Sequence, residues 1–172
     1  MAWKNARIFR MQTQTGDQKM KPITDFALQV GAKIVLKPNL VRKKDDRYFL
    51  LNESLPQFVR GDFFYAGTYL GKVRKSKFFP SFNLIAMLAK GRSNKIVLDN
   101  KTAWLFICGR DIFQSGIMSI VGFKSRGAHI LVMNKYGECL GFGRILQNLD
   151  EKSSGPVVKN ISDIGDFLRR EM

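Results

Sequence analysis

Four cationic side chains stand close together in the stretch from Gly67 to Phe82, which reads GTYLGKVRKSKFFPSF. No acidic residue separates them, and they occupy positions Lys72, Arg74, Lys75 and Lys77. Lysine and arginine bind phosphate oxygens, and such contacts need charge and reach rather than a base-reading geometry. Like charges without interspersed acids repel one another. The run therefore predicts a surface for a polyanion, against the alternative of a solvated loop.

The spacing of these cations predicts how they would be shared between two faces. In an extended chain the two-residue period places Lys72 and Arg74 on one face, and Lys75 and Lys77 on the other. Two aromatic residues follow the run. Phe78 and Phe79 would offer unpaired bases a stacking platform, although packing in the core is the expectation for both rings.

The charge balance of the whole chain points to the same class of partner. Its 172 residues include 29 Lys and Arg against 14 Asp and Glu, a net charge of +15. The first 94 residues hold 18 of these cations and only 6 of the acids. A field of this sign attracts polyanions. Nucleic acid is the indicated partner, and an anionic membrane surface is the rival.

Other features of the sequence predict a protein of the cytoplasm. No apolar run reaches the length of a membrane span, and the basic N-terminus lacks the apolar segment of a secretory signal. Cys108 and Cys139 lie in apolar surroundings and form no CxxC pair. They are expected to be buried free thiols, in agreement with a reducing compartment. We expect a cytoplasmic protein with no membrane partner.

Residues that could carry catalysis are sparse. The single histidine, His129, opens a strand-like run, and the carboxylate pairs Asp45–Asp46 and Asp150–Glu151 are neighbours in polar loops. Such pairs are usually solvated and do not resemble an acid–base dyad. Metal-ligand spacing is absent, and GTYLGK is one residue too short for a phosphate loop. We expect no enzyme, no metal, no cofactor and no small-molecule substrate.

The periodicity of apolar residues divides the chain near the polar seam GRSN, residues 91–94. Before the seam it predicts helices at 22–30 (with Thr24 as a cap), 53–59 and 81–89, strands at 33–36, 48–51 and 62–72, and a loop at RKKDD. After the seam it predicts short strands at 95–98, 103–108, 118–123, 129–134, 139–146 and 156–160, and a terminal helix capped by Ser162.

These elements predict an α+β fold of two units. Residues 1–94 would form an α/β domain, in which 1–20 are a loose extension, and residues 95–172 would form a small barrel or sandwich. Cations of the second unit are dispersed. Lys124 and Arg126 lie in the loop GFKSRG and Lys152 in DEKSSG, and loops beside a rigid barrel often carry binding residues. Arg169 and Arg170 either join this surface or only suit the terminal helix dipole.

Several segments of the second half resemble a PUA domain, the small RNA-binding pseudobarrel: GRDIFQSGI, YGECLGFGRIL and VVKNISDIGDFLRREM. More narrowly, residues 25–172 resemble the Nip-seven family of ribosome-biogenesis proteins, as an archaeal member. That resemblance also rests on DDRYFLLNESLPQF, LGKVRKSKFF, CLGFG and SDIGDFLRRE. It implies a pre-PUA α/β domain followed by a PUA pseudobarrel of short strands with a terminal helix.

The resemblance implies a function as well. It implies non-enzymatic RNA binding in ribosomal RNA maturation and large-subunit assembly, with a preference for uridine-rich RNA. The implied partners are precursor ribosomal RNA, the pre-ribosomal particle, the exosome and other assembly factors. In PUA domains the RNA surface uses the glycine-containing turn, here around Gly116. The basic residues that family members use would correspond to Arg144, Lys152 and Lys159.

Two other classes of function compete with RNA binding. In a protein adaptor, the barrel would dock another assembly factor and the charge would serve solubility alone. An RNA-modifying enzyme is the other class, because PUA domains are often appended to such enzymes. The sequence disfavours this, because the 94 residues before the barrel contain no catalytic constellation.

Overall fold

In the computed structural model, which describes residues 16–59 and 63–166, the chain folds into two β-sheets with helices packed against them. The first half contains α1 (Gly16–Gln29), β1 (Val41–Lys44), β2 (Arg47–Leu50), β3 (Thr68–Arg74), β4 (Lys77–Pro80) and α2 (Phe82–Lys90). Strands β1 to β4 form an antiparallel sheet in chain order.

The second half contains β5 (Lys95–Leu98), α3 (Asn100–Ile107), β6 (Ile112–Phe113), a single 3-10 turn (Gln114–Gly116), β7 (Ile117–Val121), β8 (His129–Asn134), β9 (Cys139–Ile145) and β10 (Pro156–Asp163). Its six strands follow the order β6-β10-β9-β8-β5-β7. All neighbouring pairs are antiparallel except β5 and β8, which are parallel and are connected through α3, β6 and β7.

Two apolar clusters hold these layers together. The first cluster contains residues of α1, α2 and the four-stranded sheet, and it also includes Leu131, Met133 and Phe142 from one face of the six-stranded sheet. The second cluster lies on the other face of that sheet, beneath Ala103 and Phe106 of α3. Because the first cluster draws on both halves, they pack as neighbours. The proposed domain boundary at residue 94 stays a prediction.

Several predicted elements are confirmed by the structure. Helix α2 begins after Ser81, whose hydroxyl accepts the Leu84 N–H at 3.2 Å as an N-cap. Strands β5 and β8 have the predicted bounds, and β2, β7, β9 and β10 begin and end within three residues of their predicted positions. These segments carry the clearest signals: a capping residue before an apolar stripe, or a short apolar run between glycines.

Several predictions in the first half are wrong. The strand predicted at 62–72 begins only at Thr68, as β3, and residues 63–67 are irregular. Helix α1 begins at Gly16, so Thr24 lies inside the helix and its hydroxyl donates to the Lys21 carbonyl at 3.0 Å instead of capping. Residues 33–36 and 53–59 form irregular chain and turns. The predicted loop RKKDD contains most of β1 and the turn into β2, because residues 41–44 pair antiparallel with residues 47–50 across Asp45 and Asp46.

Two further predictions fail in the second half. The run at 103–108 is not a strand but the end of α3, whose N-cap Asp99 accepts the Thr102 N–H at 2.7 Å. The periodicity of a short apolar run does not by itself separate a buried strand from a segment of buried helix. Ser162 lies in β10, and Asp163 instead accepts the Asp166 N–H at 2.7 Å, where helical chain begins at residues 164–166.

Candidate nucleic-acid interface

The predicted cationic run forms the tip of the β3–β4 hairpin. Its register pairs Arg74 with Lys77 and Lys72 with Phe79. Residues paired across antiparallel strands point to the same side of a sheet, so these four side chains share one side. We call them the cationic hairpin face. The predicted grouping of Lys77 with Lys75 is therefore wrong.

The turn explains this correction. Lys75 and Ser76 are the two turn residues and both have positive φ, 49° and 60°, as in the tight turns that match the twist of a hairpin. The chain reverses there, so the two-residue alternation of an extended segment does not carry over from Arg74 to Lys77. Lys75 is exposed at the tip of the hairpin.

The opposite side of the hairpin is anchored in the core. Val73 and Phe78, which are paired, pack against the first apolar cluster. The Phe78 ring centroid lies 6.0 Å from that of Tyr48 and 6.1 Å from that of Phe26. This anchoring fixes the direction of the cationic hairpin face, whose Lys72, Arg74 and Lys77 are all exposed.

The ring of Phe79 completes this face. It is 41% exposed, and the Lys77 ammonium lies 5.7 Å from its centroid. Core packing was predicted for both phenylalanines and holds only for Phe78, since Phe79 is paired with Lys72 on the outer side. An exposed ring beside a cation suits the face of an unpaired base.

Strand β2 adds a cation that the sequence reading missed. Arg47 is paired with Lys72, and its guanidinium lies 5.9 Å from the ring centroid of Phe64, which is 85% exposed. These side chains, with Lys44, Asp45, Asp46, Phe63, Val73 and Arg74, line an open depression of about 580 Å³. The two aspartates reduce its positive potential locally. Arg47 would have been found had the β1–β2 hairpin been recognised.

A second group of cations lies on the six-stranded sheet. Arg144 on β9 is paired with His129 on β8 and with Lys159 on β10, so the three side chains form a row on one face. Arg144 and Lys159 are exposed, and His129 is partly buried with its ring 6.0 Å from that of Phe142. Burial, followed by the positive charges of Arg144 and Lys77, lowers the pKa of His129.

The remaining predicted site residues are scattered. Lys124 forms an ion pair with Asp150 at 2.6 Å, and Arg126 and Lys152 are exposed in separate loops. Gly116 is buried, and a Cβ there would overlap the side chain of Thr102, so it is placed to pack rather than to bind. Arg169 and Arg170 lie outside the described residues.

The cysteines differ from each other. Cys108 is exposed, contrary to the prediction, because it follows the last turn of α3 rather than lying in a strand. Cys139 is partly buried, and burial raises the pKa of its thiol to about 11, so the reactive thiolate is disfavoured at neutral pH. Across 16–59 and 63–166, no helix is long and apolar enough to span a bilayer.

Comparison with known proteins identifies the second half of the chain. Residues 94–172 match the family model of the UPF0113 PUA domain. This half has the PUA-domain fold. A UPF0113 protein of Archaeoglobus fulgidus is 30% identical over 111 residues, which are 62% of this chain. The match spans 63% of the length of that curated relative.

Solved structures extend the similarity to both halves. A conserved PUA domain protein from Thermoplasma acidophilum superposes on 92% of this chain and 96% of its own length, with a TM-score of 0.62 and 19% identity. A hypothetical protein from Pyrococcus horikoshii covers 87% of this chain and 92% of its own length, with a TM-score of 0.57 and 19% identity. Together these similarities confirm the predicted fold class: α+β with a PUA domain.

Proposed function

We propose that this chain is a non-enzymatic RNA-binding factor in ribosomal RNA maturation and large-subunit assembly, with a preference for uridine-rich single strands. The observation that carries the RNA-binding part is the cationic hairpin face. Three exposed cations and an exposed ring stand on the outer side of a hairpin whose inner side is fixed in the core. The ribosomal role and the uridine preference come from the resemblance to the Nip-seven family.

The side chains of this face suit a single strand better than a duplex. Lys72, Arg74 and Lys77 supply phosphate contacts, which provide affinity without reading sequence. Phe79 and Phe64 expose ring faces, and stacking of an unpaired base on such a ring is worth roughly 1–3 kcal/mol. Bases inside a duplex are already stacked and would not reach these rings.

The proposal includes no catalytic step. The two adjacent carboxylate pairs lie in exposed turns, and Asp150 is engaged by Lys124. Burial, followed by the positive charges of Arg144 and Lys77, lowers the pKa of His129 and disfavours its protonated form. Mass spectrometry of nucleosides, after ribosomal RNA has been incubated with the protein, is expected to show no modified base.

The test is RNA affinity in a variant that lacks the cationic run. Lys72, Arg74, Lys75 and Lys77 are replaced together by Ala, and binding of labelled 12-nucleotide oligouridine, oligoadenosine and duplex RNA is measured by fluorescence anisotropy. The matched control replaces Lys90, Lys101, Arg110 and Lys135 by Ala. These residues are also exposed, and like the hairpin set they are three lysines and one arginine, so both variants lose the same charge.

We expect the hairpin variant to lose about 30-fold or more in affinity for oligouridine, and the control to lose less than about 5-fold, because local phosphate contacts outweigh net charge. Wild-type affinity should follow the order oligouridine, oligoadenosine, duplex. Equal losses in the two variants would mean that only net charge attracts RNA. If the wild-type protein does not bind RNA, the proposed function is wrong.

A protein adaptor is the second candidate, favoured by exposed apolar side chains near one edge of the six-stranded sheet. Strand β7 is an edge strand, and Met118, Val121 and the following Phe123 are all more than half exposed. An exposed strand edge invites pairing with another chain. Partners retained after nuclease treatment would support this candidate, and their loss would favour RNA as the bridge.

A further inference from the structure

The two groups of cations come from opposite halves of the chain, yet a chain of aromatic contacts joins the elements that carry them. The Phe26 ring on α1 lies 6.1 Å from Phe78 of β4 and 5.3 Å from Phe142 of β9, between ring centroids. Phe142 in turn lies 6.0 Å from His129 of β8. Strand β4 is thereby held near one face of the six-stranded sheet.

The same face of that sheet carries the second group of cations. Phe142 belongs to the first apolar cluster, and Arg144 lies two residues further along β9, so both point to the side on which the first half packs. Arg144 stands between His129 and Lys159 in the cross-strand row. The row therefore begins where the two halves meet.

Lys77 is the member of the cationic hairpin face whose charge reaches this row, where it acts on His129 together with that of Arg144. It neighbours Phe78 on β4, whose ring packs against Phe26, and its own side chain points to the opposite side of the strand from that ring. The residues Lys77, His129, Arg144 and Lys159, which we call the junction row, thus continue the cationic hairpin face onto the PUA domain.

We propose that a single RNA strand follows one continuous path over both halves, from the cationic hairpin face through the junction row. This inference rests on the proposed function and specifies how the RNA strand lies on the protein. Neighbouring strands lie about 4.8 Å apart, so His129 to Lys159 spans about 10 Å. With the hairpin, the path accommodates on the order of four to six nucleotides.

His129 is the natural reporter of this path. Arg144 on β9 and Lys77 on β4 both repel its protonated form. A phosphate that enters the junction row offsets this repulsion and raises the pKa of His129. By linkage, RNA binding then takes up protons, and affinity rises as the pH falls through the range in which His129 titrates.

The chain contains one histidine, so its imidazole proton gives a unique NMR signal. The pH titration of this signal is recorded with and without saturating six-nucleotide oligouridine. A single path predicts that RNA raises the pKa of His129 by about half a pH unit or more. If RNA binds and the titration of His129 does not move, the continuous path is wrong and the proposed function stands. If RNA does not bind, the proposed function itself fails.

Paired variants test the same inference by affinity. The hairpin pair is Arg74→Ala with Lys77→Ala, the sheet pair is Arg144→Ala with Lys159→Ala, and the control pair is Lys101→Ala with Lys135→Ala. All six side chains are exposed, so the fold is expected to persist. Lys101 lies in the first turn of α3, on the opposite face of the sheet, and Lys135 follows the far end of β8.

For the six-nucleotide oligouridine, the hairpin and sheet pairs are each expected to lower affinity about tenfold, and the control pair less than twofold. Isothermal titration calorimetry should give one oligonucleotide per wild-type chain. A sheet pair that behaves like the control, or two oligonucleotides bound per chain, would overturn the single path.

Discussion

At the scale of single residues, Lys77 and His129 link the two halves through charge. Because Lys77 disfavours the imidazolium form, replacing it with Ala is expected to raise the pKa of His129 in the absence of RNA. The measurement is the pH titration of the imidazole proton by NMR. Lys75→Ala is the matched control, since Lys75 lies at the turn of the same hairpin. Equal effects of the two substitutions would show that only overall charge acts on His129.

Gly116 illustrates how a residue implied in RNA binding can instead serve packing. A methyl group there would overlap Thr102 of α3, so Gly116→Ala is expected to lower the free energy of unfolding by about 1–3 kcal/mol. Urea unfolding measures this. Gly155→Ala is the control, because its Cβ would meet only the Ser153 hydroxyl at 3.9 Å. Loss of RNA affinity without loss of stability would instead assign Gly116 to the RNA surface.

At the scale of elements, Asn94 connects the segments that set the position of the junction row. Its buried side chain accepts the Phe123 N–H at 3.1 Å and donates to the His129 carbonyl at 3.3 Å. Gly31 and Gly122, both with positive φ, leave room for it. Its backbone N–H donates to the Val30 carbonyl at 2.8 Å, which ties the end of α1 to the PUA domain.

Asn94→Ala is expected to lower the free energy of unfolding by about 2–3 kcal/mol, because it removes a buried side chain and the hydrogen-bond partner of two partly buried backbone groups. The midpoint of urea unfolding reports the change. The control is Asn52→Ala. The exposed Asn52 amide oxygen accepts the Leu55 N–H at 2.9 Å, and water can replace it, so the free energy of unfolding should fall by less than about 1 kcal/mol. A similar decrease in the free energy of unfolding in both variants would show that Asn94 does not link these segments.

Elements with one dominant signal were predictable from the sequence. The Ser81 cap before an apolar stripe gives α2, and the uninterrupted HILVMN gives β8. Elements whose identity depends on tertiary contacts were not. Helix α3 is apolar on the face that packs over the second cluster, and its run AWLFIC satisfies a strand pattern equally well.

The candidate site was predictable in its charge and not in its geometry. The cationic run is visible in the sequence, but the two-residue turn at Lys75 and Ser76 decides which side chains share a face. Lys77 and Arg144 are 67 positions apart in the sequence. Their charges act together on His129 because the two halves pack against each other, and one sequence carries no local signal for such packing. Arg47 was missed because the β1–β2 hairpin was read as a loop.

At the scale of the whole molecule, the positive charge is concentrated in the first half while the match to the PUA family lies in the second. A function confined to the PUA domain would leave the charge of the first half unused. Phe26 of α1 packs against both Phe78 of β4 and Phe142 of β9, and the charges of Lys77 and Arg144, one from each half, both act on His129. The account therefore predicts that RNA affinity depends on both halves.

The most direct test of this account is the salt dependence of oligouridine binding. If about five phosphates are neutralised, log affinity should fall against log salt with a slope of about −3.5 for the wild type. The hairpin pair Arg74→Ala and Lys77→Ala should flatten that slope by about 1.4, and the control pair Lys101→Ala and Lys135→Ala should leave it unchanged. A wild-type affinity insensitive to salt, or a hairpin pair with an unchanged slope, would contradict the central claim.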